Sequence, residues 1–592
     1  MCGIVGYVGK KQAIPVLISG LEALEYRGYD SAGIALLNPD EIRIIKSVGK
    51  IEKLKKKVNK EKLGDYHIGI AHTRWATHGK ADEINAHPHQ VGRITLIHNG
   101  IIENAYELKE ELIKEGVTFK SDTDTEVVAA LIDKYLKEDI VKTLEKVKTI
   151  LVGSYALGII VDGKKDKLYI VKKDSPLVIG IGEEENFFAS DITAINTHTN
   201  RFIFLDELEV AEISEKEIMV YNDMGIVDKK VDVINTEDSS KSKNGYPHYM
   251  LKEIYEQPIV LGKTLNPYLE NLDLLPDLTA YEEIHIVACG SAMYAGMIGK
   301  ILLEEKAEVK TVVDVASEYR YKKNIYNNKT LVILVSQSGE TADTIAAMRK
   351  AKENGQDTLA IVNVKTSTIA READRALFIE AGEEIAVATT KAYLLQVAML
   401  SLLSLKLAYD KKLITNIDEQ LKEFKVVPEQ VKEIIERRDQ YKRVAIEIYK
   451  NDHAFFLGRK LDFAMTMEGS LKLKEISYIH SEAYQAGELK HGTISLIDKD
   501  TPVIAVITDK ELKEKTMSNV IEVKSRGAKC ILITTEDLKQ GFELEILVKP
   551  VNMFLQALLI VPILQLIAYD IAVLRGCDID KPRNLAKSVT VE

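Results

Sequence analysis

Leu331-Val332-Ile333-Leu334-Val335-Ser336-Gln337-Ser338-Gly339-Glu340-Thr341 decides how the larger part of this chain folds. The unbroken apolar run, rich in β-branched residues, reads as a strand buried on both faces, the mark of a parallel sheet. The turn that follows carries hydroxyls and a glycine ahead of a helical stretch. It offers backbone N–H groups at a helix N-terminus, a cradle for a phosphate. Working outward, residues 284–288 and 358–362 have the same apolar texture, and Cys289-Gly290-Ser291 forms a second turn after the first of these. Two such turns at the carboxyl ends of parallel strands point to a crevice of the doubly wound type. Neither loop carries Lys or Arg, which favours a sugar monophosphate over a nucleotide triphosphate. The pattern returns at 454–457, 502–506 and 528–533, beyond helical stretches around 417–450. An internal duplication is predicted: two α/β domains with parallel sheets.

The chain before residue 236 has a different texture. Short alternating or β-rich runs (3–8, 32–37, 42–46, 67–71, 94–98, 155–161, 168–171) are joined by two evident helices, 103–115 and 124–136. This predicts an α+β layered domain. The polar, aperiodic segment 236–245 reads as a linker. The expected division is 2–235, a linker at 236–250, α/β domains at 251–435 and 436–575, and a tail at 576–592.

The N-terminal region collects the parts of an amidase. Cys2 follows Met1, and so small a side chain permits removal of the initiator. A terminal cysteine carries its thiol together with an α-amino group of pKa ~8 that can act as its base. In His72-Thr73-Arg74-Trp75-Ala76-Thr77-His78-Gly79, Arg74 can clamp an α-carboxylate. Asn99 and Gly100 offer an amide and a backbone N–H to a developing oxyanion. Ser121-Asp122-Thr123-Asp124-Thr125 opens a helix with capping residues, and Asp124 there can take an α-ammonium. His67, His72, His78, His87, His89 and His98 crowd the region, but their spacing fits no metal-ligand motif with a helper carboxylate. Hydrogen-bonded structural histidines are expected.

Composition narrows the classes. Across 592 residues, 79 Lys+Arg against 90 Asp+Glu leave a net charge of -11, which disfavours a nucleic-acid surface. Cys2, Cys289, Cys530 and Cys577 are scattered without a CxxC pair, so a reducing cytoplasm is the expected setting. No leader is recognised at the start. No apolar run is expected to be long enough to span a membrane: the longest, 553–574, is interrupted by Gln556, Pro562, Gln565 and Asp570 and reads as a buried helix.

These motifs carry a resemblance. Cys2-Gly3-Ile4-Val5-Gly6, Tyr26-Arg27-Gly28-Tyr29-Asp30-Ser31, the 72–78 run, His98-Asn99-Gly100 and Thr123-Asp124-Thr125 resemble the glutaminase domain of N-terminal-nucleophile amidotransferases. That resemblance implies a four-layer αββα sandwich. It makes Cys2 the nucleophile, Asn99 and Gly100 the oxyanion hole, Arg74 and Asp124 the clamps on glutamine, and Trp75 the gate for ammonia. The 336–341 turn is similar to the signature of sugar-isomerase domains. Val387-Ala388-Thr389-Thr390-Lys391-Ala392 and the runs 468–476, 482–492 and 582–592 resemble the synthase half of the glutamine–fructose-6-phosphate aminotransferase family.

By that resemblance His491 opens the sugar ring, Lys587 forms a Schiff base, and Glu475 is the acid–base for proton transfer, with Lys472 beside it. Ser336, Gln337, Ser338 and Thr341 take the phosphate, with Ser291 and Thr389 as further hydroxyls. L-Glutamine and fructose 6-phosphate are the implied substrates, no metal or organic cofactor is implied, and a homodimer is, because His491 completes the neighbour's site. The tail is expected to close over the sugar through Leu585, Ala586 and Val589, with Lys587 pointing inward. The chain departs from the family pattern at Ala292, Thr389 and Thr493. Two rivals are a synthase acting on phosphoribosyl pyrophosphate and a non-catalytic sugar-phosphate sensor; the Cys2 cluster and Lys587 speak against the sensor.

Overall fold

The structure, a computed structural model, describes residues 2–75, 79–234, 242–536, 542 and 544–590. Met1, the Ala76-Thr77-His78 part of the arginine motif, the first part of the expected linker (236–241), Val591-Glu592 and the side chain of Tyr26 lie outside the described residues. The chain divides into two units, Met1–Ser240 with Ser588–Glu592, and Lys241–Lys587.

In the first unit Gly3–Gly9 lies inside an eight-stranded sheet, antiparallel to Ile68–Arg74 on one side and Glu185–Ala189 on the other. A second, seven-stranded sheet places Ile94–Ile102 beside Gly153–Val161. Side chains alternate across each strand. Val5 and Tyr7 face a core shared with the helices Ala13–Leu24 and Ile51–Val58, while Ile4 and Val8 face a core shared with Ile97, Ala156 and Ile170 of the other sheet. The outer face of the second sheet is covered by Ala105–Lys114, Asp124–Tyr135 and Ile140–Val147. The layers are therefore helix, sheet, sheet, helix, as the resemblance implied.

Three of those helices escape the sequence reading for physical reasons. Ala13–Leu24 starts at Gln12 without a side-chain cap and is apolar almost throughout. Ile51–Val58 buries only Ile51, Leu54 and Val58 in a lysine-rich stretch, and Ile140–Val147 has eight residues.

The two sheets approach closely around one ring. Phe188 is fully buried between them, and a Cβ at Gly6 would lie 1.9 Å from its ring, one at Gly158 2.5 Å. Glycine at both places makes room for the aromatic group, which in turn fixes the strand that begins just after Cys2.

The second unit contains two five-stranded parallel sheets of the same order. The first runs Lys310–Val315, Glu283–Ala288, Thr330–Ser336, Asp357–Val362, Arg375–Phe378; the second runs His480–Gln485, His453–Gly458, Pro502–Ile507, Lys529–Thr534, Leu544–Leu547. The duplication is thus real in strand order as well as texture. In each sheet the direction of winding reverses between the first and third strands in sequence, where a doubly wound sheet opens a crevice. In the first sheet that position is flanked by Cys289-Gly290-Ser291 and the 336–341 turn.

In the second sheet the matching turn is filled by the chain itself. Lys460 adopts φ +47° as Gly290 adopts +56°, each just ahead of a long helix. The Asp462 carboxylate accepts the N–H groups of Thr508 (2.9 Å) and Asp509 (3.4 Å) and the Thr508 hydroxyl. Asp509 in turn accepts the N–H groups of Glu511 (2.9 Å) and Leu512 (3.2 Å).

Two readings need correction. Helix Tyr249–Glu270 begins inside the segment expected to be linker. Lys391–Asp410 and Met553–Leu574 are both long and apolar enough to cross a membrane by length and composition, against the expectation that none is. They are core helices instead, with 94% and 89% of their apolar windows buried. Two of the polar residues of Met553–Leu574 have partners inside: Gln565 pairs with Gln257 at 2.6 Å and Asp570 with Arg438 Nε at 3.1 Å.

Gly6→Ala should destabilise the first unit by about 1–3 kcal/mol, the range for overfilling a packed core. Denaturant unfolding followed on that unit reads this, and adding Phe188→Leu should recover part of the loss.

Candidate active site

Cys2 stands at the head of Gly3–Gly9, which the register Gly3↔Thr73 sets against the end of Ile68–Arg74. Its Sγ lies 3.7 Å from the Trp75 carbonyl. Burial pushes the thiol up, while the nearby Arg74 guanidinium acts in the opposite direction. Arg74 is buried and donates to the carbonyls of Lys80 (3.0 Å) and Gly79 (3.3 Å). Trp75 meets the Tyr29 ring edge-on at 5.7 Å, and Asp30 N–H donates to the Arg74 carbonyl at 3.0 Å. The 26–31 and 72–75 motifs are therefore neighbours around the thiol.

Asn99, on strand Ile94–Ile102, is the informative residue. It is fully buried, and neither its amide nitrogen nor its oxygen has a hydrogen-bond partner among the described residues. Buried amides are nearly always paired, so an orphaned one calls for a reason. Gly100 follows at φ +151°, and a Cβ there would strike the Ser154 carbonyl at 2.0 Å. Asp124 opens helix Asp124–Tyr135, its Oδ2 accepting the Ile102 N–H at 3.0 Å, so strand and helix jointly hold the carboxylate.

Behind these residues the histidines form a hydrogen-bonded layer. His87 Nε2 and His98 Nδ1 meet Thr125 Oγ1 at 2.7 and 3.2 Å, His72 Nε2 meets the His98 carbonyl at 3.0 Å, and His72 stacks on His87. Burial drives His72 and His87 well below their usual range and His89 to about 3, so all three are neutral.

In the second unit the 336–341 turn closes on itself through hydroxyls. Ser336 Oγ accepts the Gly339 N–H at 3.0 Å and meets Thr341 Oγ1 at 3.2 Å, and Ser338 Oγ accepts the Glu340 N–H at 3.2 Å. Gln337 lends its carbonyl to Asn363 N–H at 3.2 Å. Gly339, at φ +65°, leaves no room for a Cβ against Ser367 Oγ, 2.0 Å away. Thr341 caps helix Ala342–Glu353 in position but makes no side-chain capping bond, so the helix N-terminus stays open to an anion.

Helix Leu461–Ser477 carries a buried charge row. Lys472 lies between Glu475 at 2.6 Å and Glu468 at 3.5 Å. Burial opposes the ammonium, yet the two carboxylates hold Lys472 above its usual range. Burial lifts Glu468 to about 7, against the pull of Lys472.

Lys587 reaches inward as expected, and its Nζ meets Glu384 Oε2 at 2.6 Å with both side chains buried. Glu384 also accepts the Thr389 hydroxyl (2.6 Å) and the N–H groups of Thr390 (2.9 Å) and Ala392 (3.1 Å). Burial alone would raise this carboxyl; Lys587 and these donors bring it down to about 2. Thr389 therefore serves Glu384 directly. The expected apolar hold is only partial: Leu585 and Ala586 are half-buried, but Val589 is exposed, so ion pairing and not Val589 anchors this part of the tail. His491 sits exposed on the turn Glu488–His491 and forms no hydrogen bond or ion pair with Lys472, Glu475 or Lys587. Glu384 and Glu468 were not assigned roles from sequence. A signal for Glu384 existed, an acidic residue at the head of the apolar run 385–388 that leads to Thr389.

Fold and site together define a glutamine amidotransferase domain followed by a tandem pair of sugar-isomerase domains. A glutamine amidotransferase domain model matches residues 72–197, and an SIS domain model matches 277–406 and 447–575. A glutamine–fructose-6-phosphate aminotransferase (isomerizing) of Caldanaerobacter subterraneus subsp. tengcongensis is 47% identical, and one of Clostridium tetani is 46% identical, each with 100% of both chains covered. Among solved structures, the C-terminal domain of glucosamine-fructose-6-phosphate aminotransferase from Francisella tularensis is 38% identical with a TM-score of 0.55, covering 57% of this chain and 99% of its own. The chain belongs to the glutamine–fructose-6-phosphate aminotransferase (isomerizing) family.

Removing one member of a buried ion pair costs about 3–5 kcal/mol if the other stays buried. Glu384→Gln should therefore loosen the tail. Trypsin, which must take the lysine side chain into its own pocket, should spare Lys587 in the parent protein and release residues 588–592 from the variant, read by intact mass.

Proposed function

We propose that this protein converts L-glutamine and fructose 6-phosphate to L-glutamate and glucosamine 6-phosphate. The buried Asn99 amide, unpartnered among the described residues, carries the glutaminase half of this reading, and the buried Lys587–Glu384 pair carries the synthase half.

In the first unit the Cys2 thiolate attacks the side-chain amide of glutamine. Its own α-amino group, once Met1 is removed, takes the proton and returns it to the leaving ammonia. Asn99 and the Gly100 N–H receive the oxyanion; Arg74 and Asp124 hold the α-carboxylate and α-ammonium; Trp75 gates the ammonia. Water then releases glutamate from Cys2.

In the second unit the phosphate rests on Ser336, Gln337, Ser338 and Thr341, with Ser291 and Thr389 toward the sugar. His491 of a neighbouring subunit opens the ring, which makes a homodimer the working unit. Lys587 passes its extra proton to Glu384 and condenses with the C2 carbonyl, losing water. Ammonia displaces the lysine at C2, and Glu475, steadied by Lys472, moves a proton from C1 to C2 to give the aldose amine. The cytoplasm, where both substrates are metabolites, is the setting that fits.

Cys2→Ala should abolish glutamine-dependent formation of glucosamine 6-phosphate but keep formation from added ammonia, since the sugar site is built from other residues. Loss of both activities in a folded protein sinks the two-site reading.

Lys587→Arg should lose synthesis and keep glutaminase activity, because guanidinium stays protonated and forms no imine. Borohydride with fructose 6-phosphate should trap a sugar on Lys587 in the parent protein; peptide mapping that places the adduct on Lys472 instead removes the assignment.

A further inference from the structure

Glu253, on helix Tyr249–Glu270, has no place in the scheme above, yet it is 2% exposed and deep in the second unit. Its Oε1 accepts two backbone N–H groups, from Ile385 at 2.5 Å and Ala386 at 3.2 Å. These are the residues immediately after Glu384, which holds Lys587. Its other oxygen is buried and accepts no hydrogen bond among the described residues.

The surrounding connections converge on the same place. Asp580, in the tail, caps the start of the helix that carries Glu253, accepting the N–H groups of Tyr249 and Met250 at 3.0 Å each. The Asp580 carbonyl accepts the Val387 N–H at 3.0 Å. Glu253 thus grips one end of a short segment, 385–387, whose other end is tied to the tail. Glu384 precedes that segment and Lys587 closes the circuit.

We propose that Glu253 is a positioning residue for the sugar chemistry: by holding the N–H groups of Ile385 and Ala386 it sets where Glu384 stands against Lys587, and so how readily Lys587 gives up its proton. This rests on the reading of Lys587 as the imine-forming lysine. A buried ion pair depends steeply on separation, so a small shift of the segment changes the strength of the Glu384–Lys587 contact. Dropping both N–H groups without an acceptor would also leave buried donors unpaired.

The charge of Glu253 matters as well as its grip. It faces Glu384 and Lys391 on the segment and Lys587 on the tail, with Lys252 and Glu256 next to it on its own helix. Burial, followed by the nearness of Glu384, raises its carboxyl to about 8. At neutral pH it is therefore mostly uncharged. As pH rises through that value it ionises and adds a second negative charge beside Lys587, which holds the ammonium proton more firmly.

The test compares Glu253→Ala with Glu253→Gln in the full-length protein. Both should keep the parent glutaminase rate, and a parent-like thermal transition of the second unit certifies its folding. Glu253→Ala should slow borohydride trapping of fructose 6-phosphate on Lys587 and glucosamine 6-phosphate formation at least tenfold, mainly in kcat. Glu253→Gln should recover most of the trapping rate at pH 7, because one amide oxygen can accept both N–H groups. Its trapping should lack the decline above about pH 8 expected of the parent. Parent-like trapping in Glu253→Ala, or no rescue by glutamine, overturns the inference while leaving the Lys587 assignment intact. No adduct on Lys587 in the parent protein overturns that assignment and this inference with it.

Discussion

A buried ammonium must meet a carboxylate, and the second unit is organised around two lysines under that constraint. Lys472 has Glu468 and Glu475 on its own helix; Lys587 has Glu384, 203 residues away in sequence. Taking either lysine out of water costs several kcal/mol, recovered only when the partner is well placed and its remaining lone pairs are satisfied. Glu384 meets that condition, with Thr389, Thr390 and Ala392 donating to it. The segment around residues 384–392 therefore has to fold as it does for the tail to dock at all. A polar tail without periodicity becomes ordered because one of its charges has a single good place to go.

The first unit answers to a different constraint, the separation of two sheets. Gly6 and Gly158 let Phe188 fill the space between them, and that ring keeps Gly3–Gly9 at a fixed height. Cys2, one residue before that strand, inherits its position from the core and not from contacts of its own. The histidine layer bonds to Thr125, the residue beside Asp124. A segment so near a chain end would otherwise fray; here the strand behind Cys2 is buried along its whole length.

Much of this was legible in sequence, and the reason differs by region. Strands buried on both faces, such as Thr330–Ser336 and Pro502–Ile507, announce themselves by unbroken apolar runs. Edge strands such as Arg375–Phe378 and Leu544–Leu547 are short and half-polar and were not seen. Dense motifs pointed to Cys2, Arg74, Asn99 and Asp124, and the structure gathers Cys2, Arg74 and Asp124 within electrostatic reach of one another. Glu384 and Glu253 were not visible, because a carboxylate's importance here comes from what it meets after folding. Nothing local distinguishes Glu253 from Glu256, one exposed enough to pair with Lys391 at 2.8 Å and the other sealed. The reading of 553–574 as a buried helix holds, and the partners of Gln565 and Asp570 on other helices show how polar residues fit inside it.

The Asp462 turn has a consequence for how a duplicated domain is used. Where the first sheet closes its turn with hydroxyls, the second has its N–H groups at Thr508, Asp509, Glu511 and Leu512 occupied by the chain's own carboxylates. An anion arriving there would meet standing negative charge in place of open donors. The first copy leaves its helix end uncapped by a side chain, while the second closes its own turn and packs Leu461–Ser477 against the first copy's helix Gly290–Ala307. Twin folds of one strand order have thus come to differ where their ancestor's two crevices would have been alike.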